Sequence, residues 1–225
     1  TAVGSSIALS TMRSVSVAQG GGLSYTLSAG SGSATVDAVT GMLTGTKVGT
    51  VIVTVTALGN TNYYAPIAVS QTLNITIGTQ TLAVNNQPVG LAVGQSISVT
   101  TTRSVSVTLG GALTYSIAAG SGSATIDSFG SLTAINIGTV SLTVMAVGDT
   151  NYYLPVSSTV LVTIGQGSQT LQMTSSSAIV VGSSITTSII RRNVNGSLLP
   201  LNAGGVLSFS ISSSVGGGSA TVDPV

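Results

Sequence analysis

Catalysis and metal binding draw on a short set of side chains, and this 225-residue chain holds few of them. His, Cys and Glu are absent. The acids are Asp37, Asp127, Asp149 and Asp223, and the cations are Lys47, Arg13, Arg103, Arg191 and Arg192. A Ser nucleophile needs a base within hydrogen-bond reach, and Lys47 is the one amine-bearing side chain. Glycoside hydrolysis needs two facing carboxylates. Asp37, Asp127 and Asp223 instead recur at equivalent places of a repeat, so they stand about one domain apart. No catalytic residue, cofactor site or metal site is expected, and the chain is read as not an enzyme.

Each remaining candidate has a plain structural reading. Asp37, Asp127 and Asp223 follow Ser-Ala-Thr-Val/Ile and precede a turn. That placement suits an Asx turn, in which the carboxylate accepts backbone N–H bonds. One Asp per repeat is too few for a Ca²⁺ site, which gathers several carboxylates. Arg13 and Arg103 are equivalent, and each is expected on a solvated strand or turn, or paired with the Asp of its own repeat. Tyr63-Tyr64 and Tyr152-Tyr153 sit in matching loops. The first Tyr of each pair is expected to pack under the loop, leaving the second exposed to a neighbouring domain or a glycan. Gly41–Lys47 lacks phosphate-loop spacing, because Lys47 does not directly follow Gly45 at the required place. Asn74-Ile75-Thr76 and Asn195-Gly196-Ser197 match N-glycosylation acceptors. A single Lys and the absence of Glu argue against an isopeptide crosslink.

The elements that carry these residues come in copies. Val3–Ile7 returns at Val93–Ile97 and Val181–Ile185, at offsets of 90 and 88 residues. Arg13–Val17 returns unchanged at Arg103–Val107. Gly30–Asp37 returns at Gly120–Asp127, and its tail returns at Ser219–Asp223. Gly59–Tyr64 returns at Gly148–Tyr153, and Gln80-Thr81-Leu82 returns at Gln169-Thr170-Leu171. Self-similarity at a fixed period is the mark of a repeat architecture. The unit of about 90 residues is the size of one small β-sandwich. The boundaries fall at 1–78 (a repeat lacking its first strand), 79–166 (a complete repeat) and 167–225 (a repeat cut in its C-terminal half). Such a piece is expected to be an interior segment of a longer repetitive protein, or one whose missing strands come from neighbouring chains.

Within the complete copy the pattern alternates. Ser96–Thr100, Ser104–Val107, Leu113–Ile117 and Val140–Val144 each read polar-apolar in turn, which predicts half-buried strands. Val, Ile and Thr suit a pleated surface because their stiff χ1 costs little there. Gly110-Gly111, Gly120–Gly122 and Gly138 punctuate the runs as turns. No helical period occurs. The expected fold is all-β, with tandem immunoglobulin-like β-sandwich domains arranged as an extended rod.

The complete copy resembles the bacterial immunoglobulin-like (Big-type) domains of surface adhesins and related secreted proteins. The likeness lies in Gln80-Thr81-Leu82, in Ser123–Leu132, and in Gly138–Val140 leading to Gly148–Tyr152. The resemblance implies a role as spacer, stalk or adhesive module. The third copy departs from the pattern by an insertion around Arg191 to Asn202.

Composition narrows the role further. Charged residues make up 4% of the chain and the net charge is +1, against about 25% charged in an average soluble protein. Nucleic acid needs clustered Lys and Arg, and an electrostatic membrane anchor needs the same. Neither partner is expected. With 43% hydrophobic residues the chain lacks the signature of disorder. Mean hydropathy is +0.61, yet no apolar run approaches the roughly 18 residues of a spanning helix, so no membrane insertion is expected in this segment. No signal peptide is visible at the start, which fits either a removed leader or an internal segment. Sheets normally guard their edges with Lys, Pro or bulges, and a surface with so little charge tends to associate. The leading expectation is a structural segment of an extracellular filament or cell-surface stalk, covered by other copies of the chain or by a glycan coat. An adhesin module binding glycan or a host surface, and a non-catalytic spacer of a larger secreted enzyme, are the alternatives.

Overall fold

The structure is a computed structural model, and it describes residues 1–85, 89–174, 178–193, 196, 198–199, 205–211 and 219–222. The first repeat runs through β1 (Ser6–Ala8), a single helical turn α1 (Val17–Gly20), β2 (Leu23–Ala29), β3 (Ser33–Val36), β4 (Met42–Lys47), β5 (Gly49–Ala57) and β6 (Ile67–Ile75). These strands form two antiparallel sheets of order β2-β5-β6 and β1-β4-β3.

The second repeat repeats that plan and adds to it. It contains β7 (Leu82–Val84), β8 (Val89–Ala92), β9 (Ser96–Ser98), β10 (Thr101–Arg103), α2 (Val107–Gly110), β11 (Leu113–Ala119), β12 (Ser123–Ile126), β13 (Ser131–Asn136), β14 (Gly138–Ala146) and β15 (Val156–Gly165). Its sheets are β11-β14-β15-β8 and β12-β13-β9, with a separate antiparallel pair β10-β7. In the third repeat β16 (Gln169–Thr174) pairs antiparallel with β17 (Ser188–Asn193). The architecture is therefore all-β, built of tandem β-sandwich repeats.

Period-two alternation sets the core. On β14, Val140, Leu142, Val144 and Ala146 are fully buried, while Ser141 and Thr143 face the other side. Successive Cβ atoms of a strand point to opposite faces, so one residue in two reaches the interior. Leu132, Val162 and Ile164 complete the second core. The first core is built in the same way from Leu43, Val51, Val53 and Ile75.

On the outer faces, hydroxyls take the place of ion pairs. Thr54 faces Ser70 across β5 and β6 with 2.8 Å between hydroxyl oxygens, and Thr143 faces Thr159 across β14 and β15 at 2.9 Å. Ser6 and Thr44 lie 2.6 Å apart, and Ser96 and Thr133 lie 2.8 Å apart. Cross-strand pairs of this kind are a normal unit of sheet stabilisation.

Two expectations from alternation are corrected. Ser96–Thr100 is not one uninterrupted strand. The run splits because Ser96–Ser98 pairs with β13 while Thr101–Arg103 pairs with β7. The stretch predicted as a strand at Ser104–Val107 is a bend entering α2. There Gly110 N–H donates to the Ser106 carbonyl at 2.8 Å, and the left-handed Gly111 (φ 76°) ends the turn. One turn is too short to print a helical period on the sequence.

The alternation gives a direct test. Leu142→Ala is expected to cost the second repeat about 2–5 kcal/mol, because it opens a cavity in a fully packed core. Met145→Ala, on the outer face of the same strand, is expected to change stability by less than about 1 kcal/mol. Chemical denaturation of both variants checks the difference.

Candidate functional site

The described polar side chains gather at the seams between strands and between repeats. The first seam is a clip on the opening strand. Gln80, just before β7, is buried. Its Nε2 donates to the Gly110 carbonyl at 2.9 Å and to the Leu154 carbonyl at 2.8 Å. Its Oε1 accepts from Arg103 Nη2 at 3.0 Å. Arg103 Nη1 donates to the Gly111 carbonyl at 2.9 Å. The clip thus ties the opening strand to β10, to the end of α2 and to the loop before β15. A Cβ on Gly110 would collide with both the Gln80 amide and the Arg103 guanidinium, so this corner requires glycine.

This overturns the expectation for the arginines. Neither Arg13 nor Arg103 is given to an Asp or to solvent. Arg13 Nη1 donates to the Gly21 carbonyl at 2.9 Å, the same bond that Arg103 makes to Gly111. The aspartates are occupied elsewhere, and the glycine that follows each helical turn offers a carbonyl within reach.

Sequence reasoning also missed a third member. Arg191 stands opposite Leu171 in the β16–β17 register, as Arg103 stands opposite Leu82 in β7–β10. Its Nη2 donates to the carbonyl of Gly205, another left-handed glycine (φ 88°), at 2.8 Å. The Arg-to-Gly spacing is 8 residues in the first two repeats and 14 in the third. The insertion noted around Arg191 to Asn202 therefore lies between the arginine and its glycine. Arg191 follows Gln169 by 22 residues where Arg103 follows Gln80 by 23, so the strand register rather than the spacing picks it out from Arg192.

The aspartates close turns. Asp37 Oδ1 accepts N–H bonds from Val39 at 2.9 Å and Thr40 at 2.8 Å, and Asp127 Oδ1 accepts from Phe129 at 2.9 Å and Ser131 at 2.8 Å. Asp149 accepts from Asn151 N–H at 2.7 Å. The N–H bonds from Thr40 and Val39, together with the Thr40 hydroxyl, hold the exposed Asp37 carboxyl below its ordinary range. Among the described residues no three His, Cys, Asp or Glu cluster as metal ligands would. Asp223, Asn195 and Ser197 lie outside the described residues. Asn74 is exposed on β6. Gly41–Lys47 leads into and forms strand β4.

The second seam joins the repeats. Tyr153 belongs to the second repeat, yet it packs in the core of the first with Val3, Leu43, Val51 and Ile75. It is 8% exposed, whereas Tyr63 and Tyr64 of the first repeat are 63% and 50% exposed. The buried ring is thus the second Tyr of its pair, not the first as expected. The reason lies in the backbone. Val48 N–H donates to the Asn151 carbonyl at 2.8 Å, Gly78 N–H to the Tyr152 carbonyl at 2.8 Å, and Leu154 N–H to the Gly78 carbonyl at 2.9 Å. This ladder sets Tyr153 against Gly78 and turns its ring into the first repeat. Gly4 and Gly78 leave the space the ring fills, since a Cβ on either would meet it. Gly94 and Gly167 occupy the corresponding places at the far end of the second repeat.

No protein-family model matches the chain, and no curated protein matches it. Solved structures show a loose likeness. The S-layer protein rSbsC is 16% identical over 80% of this chain and 24% of its own length, with a TM-score of 0.35. Drosophila N-cadherin EC1-4 is 16% identical over 64% of this chain and 41% of its own, with a TM-score of 0.32. Mouse protocadherin-24 EC1-3 is 14% identical over 78% of this chain and 67% of its own, again with a TM-score of 0.32. The chain thus spans about a quarter of rSbsC and under half of the N-cadherin fragment. Likenesses this distant assign no activity or partner.

Two measurements probe these seams. Tyr153→Ala is expected to destabilise the first repeat by about 3 kcal/mol, as loss of a buried aromatic does, and hydrogen exchange of β4 and β5 would report it. For Asp37, the folded pKa is depressed, so its stabilisation is present above the unfolded value near pH 3.9 and is lost as pH falls through the folded value. Asp37→Asn is expected to flatten the acid-side loss of first-repeat stability in urea titrations run from pH 6 to pH 2.

Proposed function

We propose that this chain is a structural repeat segment of an extracellular filament or stalk of a large bacterial surface protein, built of Big-type immunoglobulin-like domains in series. The observation that carries this reading is the joint. Tyr153 of the second repeat completes the core of the one before it, and three backbone hydrogen bonds lock the two end to end. A joint of that kind suits a member that transmits load along a row, and with more repeats it gives an extended rod. The recurrence of Gly4 and Gly78 as Gly94 and Gly167 supports continuation of the same joint.

The surface supports association. Phe129 and Met12 are almost fully exposed, as are Val39 and Ile67 to a lesser degree, with hardly any charge to keep copies apart. Other copies of the chain or a glycan coat are the proposed cover. The absence of His, Cys and Glu, and the turn-closing use of Asp37, Asp127 and Asp149, support a non-catalytic role. The exposed Tyr63 and Tyr64 favour a second reading, an adhesive module that contacts a glycan or a host surface through this loop.

Electron microscopy and light scattering of the purified, unglycosylated chain test the first reading. Concentration-dependent association into long, thin particles is the expected outcome. A compact monomer that persists at high concentration contradicts it.

A further inference from the structure

The first repeat holds an open groove whose counterpart in the second repeat is filled by that repeat's own opening strand. About 590 Å³ in volume, it is lined by Arg13, Val15, Leu23, Val55, Ile67 and Val69, among others. The corresponding residues in the second repeat are Arg103, Val105, Leu113, Val144, Val156 and Ser158. There, Gln80 and β7 occupy the space. Leu82 and Val84 pack into the core beside Leu113 and Val144, and the backbone pairs with Thr101–Arg103. In the first repeat, Thr11–Arg13 pairs with no strand among the described residues. Ile67 is 72% exposed and Val69 is 64% exposed, where Val156 and Ser158 are half-buried.

The polar match is more specific than the apolar one. Arg13 and Arg103 make the same bond to their glycine carbonyls. Arg103 Nη2 then finds Gln80 Oε1, while Arg13 Nη2 is buried without a partner. A buried donor left unpaired is costly, and the missing partner is an amide carbonyl at one defined point of a strand. Gly20 stands where Gly110 stands and leaves the same room for it.

We propose that this groove is an acceptor site for an extended peptide segment reading Gln-Thr-Leu-x-Val. It would pair antiparallel with Thr11–Arg13, its Leu opposite Arg13 and its Val opposite Thr11, in the register that β7 keeps against β10. This is strand addition to an open edge, with apolar pockets for the Leu and Val and a guanidinium for the Gln. The site stands whether or not the chain forms filaments, because it rests on the first repeat alone.

The probe is a fluorescein-labelled peptide of residues 79–85, titrated into the 225-residue chain and followed by anisotropy. Saturable one-to-one binding is expected. The same peptide carrying Gln80→Ala is expected to bind about tenfold more weakly. In the chain variant Arg13→Met the two peptides are expected to bind within about twofold of one another. No saturable binding, or equal binding of the two peptides to the unmodified chain, overturns the proposal. Should Arg13→Met not fold, hydrogen exchange on the unmodified chain decides. The peptide must slow the amides of Thr11–Arg13, and protection confined to any other segment overturns the site.

Discussion

An arginine guanidinium held against a left-handed glycine carbonyl is the constraint around which each repeat is arranged. Taking a charge out of water is expensive unless its donors are satisfied, and this chain has few charges to spend. Arg103 directs its Nη1 to one glycine carbonyl and its Nη2 to one glutamine amide, while its Nε is buried without a partner. One partner lies 8 residues further along the chain and the other 23 residues back, so the arginine fixes where the helical turn ends and where the opening strand enters. Gly111 must take a left-handed φ to present its carbonyl there, a conformation that suits glycine. The same arginine and glycine recur in the first and third repeats, including the one in which six extra residues separate them.

The joint between repeats follows the same economy. Three backbone hydrogen bonds and the Tyr153 ring, with Val105, Leu109 and Tyr152 packed beside it, link the second repeat to the first, with no ion pair among the described residues. Elsewhere, Ser and Thr hydroxyls facing one another across strands stand where other proteins place Lys and Glu. A structure held this way gains little from electrostatics, and the Asp37 carboxyl, held below its ordinary range by backbone N–H bonds, is where pH acts on it. Its outer faces carry no charge barrier against a neighbouring copy. Low charge, facing hydroxyls and one aromatic plug at the joint thus share a single economy of polar groups.

Much of the fold was legible in the sequence because strand burial has period two and the repeat displays it three times. Leu113–Ile117 and Val140–Val144 lie on strands as their alternation predicts, and Asp37 and Asp127 close the turns that their position after Ser-Ala-Thr-Val/Ile suggests. Other features left no local trace. Ser104–Val107 alternates like a strand yet bends, because a one-turn helix is too brief to overwrite the pattern. The buried Tyr is the second of its pair because the ladder to Gly78, a contact across the repeat boundary, sets the loop's rotation. The arginines were misassigned for a related reason. Their partners are backbone carbonyls and an amide, groups that composition cannot single out. Only the similar spacing of Gln80 to Arg103 and of Gln169 to the Arg191-Arg192 pair hinted at the clip.

Whether Gln80 and Arg103 act as a unit decides how the opening strand is held. A double-mutant cycle of Gln80→Ala and Arg103→Met, read by urea denaturation of the second repeat, measures their coupling directly. The expected coupling is about 1.5–3 kcal/mol, the range for a hydrogen bond to a charged group. Additive effects, with a coupling below about 0.5 kcal/mol, would mean that the opening strand is held by apolar packing alone and that the arginine does not organise the repeat.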